Sequence, residues 1–148
     1  GWVADSARTL AIGSITAEAA ELKSTTVAAL QRGIAAAQAG NTVGDIGHAV
    51  QQEVESAGFS VVRSLVGHGV GRSMHEPPQV PNYGQRGSGP LLEPGLVIAI
   101  EPMVNVGTPD VTLDEDHWTV RTADGSLSAH SEHTVAITAD GPRILTTR

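Results

Sequence analysis

Cysteine is absent from the 148 residues, and lysine occurs once, as Lys23. The lack of cysteine excludes disulfides, thiol nucleophiles and cysteine-rich zinc sites, and it leaves the redox compartment open. Any metal ion would therefore bind through oxygen and imidazole ligands. The other basic residues are arginines, which are scattered along a chain of net charge −7. No clustered basic surface is available for nucleic acid or for an acidic membrane.

The sequence also lacks a long hydrophobic run. No segment approaches the ~20 apolar residues that cross a membrane, and the chain does not open with the basic and apolar regions of a signal peptide. We therefore expect a cytoplasmic protein. A hydrophobic content of 40% over 148 residues fits one soluble domain. Gly1 starts the chain inside a strand-like segment, so we expect the gene product to extend beyond it.

Helices are predicted in the first part of the chain and strands in the second. Apolar spacing and capping residues predict helices over residues 16–39 and 43–57, with Gly40 and Gly58 ending them. The order of helices followed by strands predicts an α+β fold. The remaining predictions are strands at 59–66, 96–106, 117–122 and 127–138, a turn at Asp124 and Gly125 that joins the last two as a hairpin, and an irregular loop at 77–94.

Two histidines, His68 and His75, lie seven residues apart in a segment rich in glycine and proline. Glycines at 67, 69 and 71 disfavour a regular helix, and we interpret them as turn formers that let backbone pass close to a site. The segment is not the zincin helix, because the HEPPQ sequence lacks the second histidine and its prolines would break a helix.

Three carboxylates, Asp5, Glu101 and Glu132, are each embedded in an apolar, strand-like segment. An unpaired buried carboxylate is costly or becomes protonated, so these groups predict a positive partner, and a metal ion could serve all three. The alternative for each residue alone is an ordinary role, with His68 as a hydrogen-bonded core histidine and Glu101 in a salt bridge. Arg72 is a possible partner for Glu101.

The other histidines carry weaker signals. His48 lies on a predicted helix and is expected to be an ordinary surface residue. His133 directly follows Glu132 in a strand, so it should point to the opposite face of the sheet. The pattern leaves His117 and His130 without an assigned role.

Four segments together resemble a known family: residues 67–84, 93–105, 114–138 and 143–148. They are similar to the C-terminal half of bacterial type I methionine aminopeptidases, of the creatinase or "pita-bread" fold. The EPMVN sequence at 101–105 is similar to the methionine enzymes, whereas proline-directed relatives share the histidine segment. The resemblance implies one metallopeptidase domain over 1–148 that lacks its N-terminal portion, with two helices followed by a mainly antiparallel curved sheet.

The resemblance also implies a metal site and an activity. Asp5, His68, Glu101 and Glu132 match metal-ligand positions, and two divalent ions in the intact family site, Mn, Fe, Co or Zn, would generate the hydroxide that attacks the peptide bond. Glu101 would relay the proton to the leaving amine. The implied function is removal of the N-terminal methionine from nascent proteins and peptides, a step of protein maturation.

Further substrate residues follow from the same resemblance. His75 matches a histidine that contacts the substrate near the scissile bond, and it would stabilise the tetrahedral intermediate. Trp118 matches a position that borders the methionine pocket, and Met74 stands where some relatives have an aromatic residue.

One ligand of the family pattern has no counterpart here. The family carries another aspartate upstream of the position of Asp5, and no aspartate occurs in residues 1–4. One metal site would therefore be complete and its neighbour impaired, so this chain could hold a single ion. The alternative function is a catalytically silent, truncated module that binds metal or a partner. We also expect self-association or a complementing N-terminal segment, because a divided sheet exposes strand edges and apolar surface.

Overall fold

The computed structural model describes residues 1–147, in which two helices pack against a mainly antiparallel sheet. The helices are α1 (Ala17–Ala36) and α2 (Val43–Ser56). The strands are β1 (Ser6–Arg8), β2 (Ser60–Val61), β3 (Gly67–Gly69), β4 (Glu76–Val80), β5 (Val97–Ile100), β6 (Met103–Asn105), β7 (Val111–Leu113), β8 (Val120–Thr122), β9 (Ser128–Thr138) and β10 (Gly141–Ile144). The predicted α+β class is confirmed. No helix in residues 1–147 has the length and apolar character needed to cross a membrane.

Both helices begin at the predicted capping residues. The Thr16 hydroxyl accepts a hydrogen bond from the Ala19 N–H at 3.2 Å, which satisfies a free donor at the start of α1. At the start of α2, the Asp45 carboxylate accepts from the Thr42 N–H at 2.8 Å. This bond, together with a second one from the Thr42 hydroxyl, lowers the pKa of Asp45. Helix α1 ends three residues before the predicted boundary, where the Ala37 N–H already bonds to the Ile34 carbonyl.

Strand β9 organises the sheet. The order of strands is β2-β6-β9-β5-β3-β4, and β1 and β10 also pair with β9. All of these pairings are antiparallel. Eleven residues make β9 long enough to pair with β6 near its start and with β5 further along. Segments distant in sequence therefore meet along this one strand.

Two predictions about the strands are wrong at prolines. Residues 96–106 do not form one strand, because Glu101 and Pro102 interrupt it between β5 and β6. Proline has no N–H group to donate to the hydrogen-bond ladder of a sheet. The predicted loop 77–94 contains most of β4, which pairs with β3 at the end of the strand order, where the missing donors of Pro77 and Pro78 are tolerated.

The predicted hairpin is also wrong. Strand β8 pairs with β7 in a separate two-stranded sheet, and not with β9. The Asp116 side chain accepts hydrogen bonds from the Trp118 and Thr119 N–H groups and closes the turn between β7 and β8. The predicted strand at 59–66 shortens to the two residues of β2.

The core lies between the helices and the sheet. Helix α2 contributes Ile46, Val50 and Val54, all without solvent exposure, and the sheet contributes Ile98 and Ile100 in the same cluster. The large apolar side chains that meet here hold the helices on one side of the sheet.

Replacing a core isoleucine should therefore cost far more than replacing an exposed one. We expect Ile46→Ala to lower the free energy of unfolding by about 2–5 kcal/mol, because it removes buried contacts and leaves a cavity. Ile12→Ala is the matched control, since Ile12 is 83% exposed. Urea denaturation of both variants measures the difference, and equal effects would contradict this assignment of the core.

Candidate metal centre

Glycine lets β3 pass between two neighbouring strands. A Cβ atom on Gly67 would collide with the Ala99 carbonyl of β5, and one on Gly69 would collide with the Pro77 carbonyl of β4. The structure thus confirms the close approach of backbone expected from these glycines. His68, between them, is held by pairing on both sides, opposite Gln79 and Ala99.

Asp5 is fixed by a strand from the other end of the chain. The Thr134 hydroxyl accepts a hydrogen bond from the Asp5 N–H at 2.8 Å and donates one to the Asp5 carbonyl at 2.7 Å. Strand β1, which follows Asp5 directly, pairs Ala7 with Glu132 of β9. The backbone thereby brings Asp5 close to Glu132.

The structure brings the four predicted ligands together. One carboxylate oxygen each from Asp5 and Glu132 and one ring nitrogen of His68 lie within 4.8 Å of one another. The Glu101 Oε1 atom is 3.3 Å from the His68 Nε2 atom. His68 and Glu132 are 8% and 4% exposed, whereas Asp5 and Glu101 are half-buried.

The His68 ring directs a lone pair into the cluster. Its Nδ1 atom is 2.9 Å from the Gly69 carbonyl oxygen, which can only accept, so Nδ1 carries the proton of the neutral ring. The His68 Nε2 atom then faces Glu101 Oε1 with an unshared electron pair. Two hydrogen-bond acceptors 3.3 Å apart repel each other unless a cation or a proton lies close to both of them.

Glu101 and Glu132 in the cluster resist ionisation. Burial raises the pKa of Glu101 to about 8, and repulsion from Glu132 and Asp5 adds to this effect. Burial, followed by repulsion from Asp5, raises the pKa of Glu132 to about 7. The Glu132 Oε1 atom is buried without a hydrogen-bond partner. These groups are arranged for a positive charge that their neighbours do not supply.

Within residues 1–147, the arginines that form ion pairs do so with carboxylates outside the cluster. The pairs are Arg32 with Glu53, Arg63 with Glu55, and Arg121 with Asp114. The alternative pairing of Arg72 with Glu101 does not form. The Arg72 guanidinium instead lies 4.1 Å from the centre of the Trp2 ring and donates to the Gly1 carbonyl.

A divalent cation fits this donor set. Three carboxylates and one imidazole converge, one carboxylate oxygen is unpartnered, and two of the carboxyl groups have raised pKa values. Oxygen and imidazole ligands suit Mn, Fe, Co and Zn.

His75 borders the cluster on the side of β4. Its ring meets the His68 ring edge-on, with 4.3 Å between ring centres, and both line a cavity of about 330 Å³. The Glu76 carboxylate accepts the Ser73 N–H at 2.7 Å and so closes the short loop that carries His75. Met74 and Trp118 are 48% and 87% exposed, and neither lines this cavity. Their role in a methionine pocket stays a prediction.

Sequence reasoning left His130 without a role, yet the structure places it at the site. The His130 Nε2 atom is 3.6 Å from Glu101 Oε2 and is buried without a hydrogen-bond partner. Burial lowers the pKa of His130, and the negative charge of Asp5 partly opposes this. The available signal was its position two residues before Glu132, because alternate residues of a strand share a face.

His133 is not part of the ligand group formed by Asp5, His68 and Glu132, and its orientation away from the metal stays a prediction. Its Nδ1 atom is 2.8 Å from the Thr146 hydroxyl. His133 lines a different cavity, between α1, β1 and β9, together with Val27 and Gln31.

Comparison with protein families adds an independent observation. The model of metallopeptidase family M24 matches residues 1–139. The chain belongs to family M24. Membership of a metallopeptidase family implies divalent metal ions, in agreement with the donor set of the cluster.

Methionine aminopeptidases are among the relatives of this M24 chain. It is 54% identical over 146 residues to the methionine aminopeptidase of Clostridium acetobutylicum, covering 99% of this chain and 58% of that protein. The crystal structures of the enzymes from Rickettsia prowazekii and Thermotoga maritima each match with a TM-score of 0.97, at 41% and 46% identity, covering 99% of this chain and 59% of theirs. The expected pita-bread fold is confirmed. The chain thus spans less than two thirds of the length of these relatives.

The raised pKa of Glu101 predicts how the metal-free chain responds to pH. A carboxyl whose pKa is higher in the folded state binds more protons when folded, so its contribution to stability is lost as pH rises from about 4.5 to about 8. Glu101→Gln removes this loss. With chelator present, we expect the stability of the variant relative to wild type to increase between about pH 5 and pH 8.

Urea unfolding at the two pH values measures this difference. Glu93→Gln serves as the control, because it removes one exposed carboxylate outside the cluster. A stability difference for Glu101→Gln that stays constant with pH would contradict the burial and repulsion described above.

Proposed function

We propose that this chain carries the metal centre of a methionine aminopeptidase, an enzyme that removes the N-terminal methionine from peptides and nascent proteins. The observation that carries the proposal is the convergence of Asp5, His68 and Glu132 within 4.8 Å, with Glu101 beside them. The names of the relatives supply the substrate class. The cytoplasmic location stays a prediction.

The four residues would hold divalent metal ions. Asp5, Glu101 and Glu132 would supply carboxylate oxygens, and His68 would supply an imidazole nitrogen. When bound, the ions lower the pKa of water and polarise the scissile carbonyl. We propose that these four residues form the complete ligand set of one ion.

The remaining steps fall to side chains of this chain. The Glu101 carboxylate would accept a proton from the attacking water and deliver it to the leaving amine, because its Oε1 atom lies 3.3 Å from the Nε2 atom of the ligand His68. His75, beside His68 at the cavity wall, would donate a hydrogen bond to the oxyanion of the tetrahedral intermediate. The cavity of about 330 Å³ leaves room for the reacting peptide bond next to both rings.

The second candidate is a module that binds metal without catalysis. Calorimetric titration with Mn²⁺ separates the two, since two tight ions per chain would exclude a module that holds only one. Hydrolysis of a short peptide that begins with methionine would exclude a silent module directly, and an N-acetylated peptide provides the substrate control.

Replacing His75 should affect the reaction more than metal binding. We expect His75→Ala to lower kcat by on the order of 10²–10³-fold, the usual effect of removing one hydrogen bond to an oxyanion. The affinity for Mn²⁺ should stay close to wild type, because His75 is not among the proposed ligands.

His48→Ala is the matched control, because His48 lies on α2, in a different part of the fold from the cluster. Steady-state kinetics and calorimetry on the three proteins measure both effects. A His75→Ala variant with wild-type kcat would remove His75 from the mechanism.

We also propose that the isolated chain self-associates or takes up a complementing N-terminal segment. A groove of about 570 Å³ lies between α1, β1 and β9 and is lined by Val27, which is 42% exposed. Outside this groove, Trp2 and Ile12 are exposed by 76% and 83%. Exposed apolar surface of this kind favours association. Light scattering should detect dimers or larger species, and a stable monomer at high concentration would contradict the proposal.

A further inference from the structure

Two imidazole rings flank the Glu101 carboxylate, one at each oxygen. His68 Nε2 lies 3.3 Å from Oε1, and His130 Nε2 lies 3.6 Å from Oε2. The two rings differ in what they can offer. The Gly69 carbonyl fixes the proton of His68 on Nδ1, so His68 presents an electron pair. No such acceptor fixes the proton of His130 on its other nitrogen in the described structure.

The backbone holds His130 firmly in this position. The Thr9 hydroxyl donates to the His130 carbonyl and accepts from the His130 N–H, both at 2.9 Å. Strand pairing sets His130 opposite Met103, which follows Glu101 by two residues. The main chain that carries the ring is therefore fixed relative to β6 and to Thr9.

We infer that His130 is a positioning residue for Glu101: its Nε2–H donates to Oε2 and thereby directs Oε1 toward His68 and the metal centre. The inference rests on the proposed metal centre. The His130 Nε2 atom is buried without a partner, which is unfavourable for a polar group, and Glu101 Oε2 is the acceptor beside it. A separation of 3.6 Å is just beyond hydrogen-bonding distance, so a small rotation of either side chain would complete the bond.

Such hydrogen bonds matter for metal binding because they orient the ligand before the ion arrives. A carboxylate whose second oxygen is engaged has fewer orientations to lose on binding. Loss of a partner of this kind typically weakens metal affinity by 10- to 100-fold.

Metal affinity provides the first test, with Co²⁺ as the probe. We expect His130→Leu to bind Co²⁺ about 10- to 100-fold more weakly than wild type and to alter the visible absorption of the bound ion. His130→Gln should restore both, because the Gln amide nitrogen and the His Nε2 atom lie the same number of bonds from Cα. His133→Leu, on the same strand but at Thr146, should bind as wild type does. Wild-type affinity in His130→Leu would overturn the inference.

The tautomer of His130 provides the second test and needs no metal. Nitrogen NMR of the metal-free chain at neutral pH should find the His130 proton on Nε2, and a proton on Nδ1 would overturn the inference. This result also decides the inference if His130→Leu fails to fold. Failure of the wild-type chain to bind Co²⁺ would defeat the proposed metal centre instead, while the tautomer would still report on the contact between His130 and Glu101.

Discussion

The withdrawal of neighbouring carboxylates from water is the constraint on which this structure depends. Asp5, Glu101 and Glu132 approach one another in a site where burial already disfavours charge, and the pKa values of the two glutamates rise to about 8 and about 7. No arginine of the described chain forms an ion pair with them. Burial and repulsion of these carboxylates are unfavourable without a cation. A bound cation would attract all of them, so the arrangement of the fold favours cation binding.

Strand β9 is what allows the carboxylates to meet. Its pairing with β1 brings the start of the chain to Glu132, and its pairing with β5 and β6 places the break at Glu101 opposite the same region. Pro102 ends one ladder and lets Glu101 leave the regular alternation of the strand. The same proline that made the predicted strand 96–106 wrong thus has a consequence for the site.

Much of the fold and site could be predicted from the sequence, for reasons that differ between residues. The helix caps Thr16 and Thr42 act through bonds to neighbours three residues away, so local sequence suffices to locate them. Glu101 and Glu132 stood out because carboxylates are unexpected in apolar strands. The pairing of β8 with β7 depends on which strand lies nearby in space, and the sequence carried no signal strong enough to exclude a hairpin with β9.

His130 shows where such reasoning stops. A histidine in a strand has no single meaning, because its role depends on which atom its ring meets. The proximity of Glu132 in sequence places both residues on one face but does not reveal that Glu101, some thirty positions away, lies 3.6 Å from the ring. Carboxylates in apolar strands indicate the metal centre because their burial is unfavourable. The role of a neutral ring that orients one of them can be recognised only from the three-dimensional structure. Residues that support a site without carrying its charge are therefore the ones that a structure adds to a sequence.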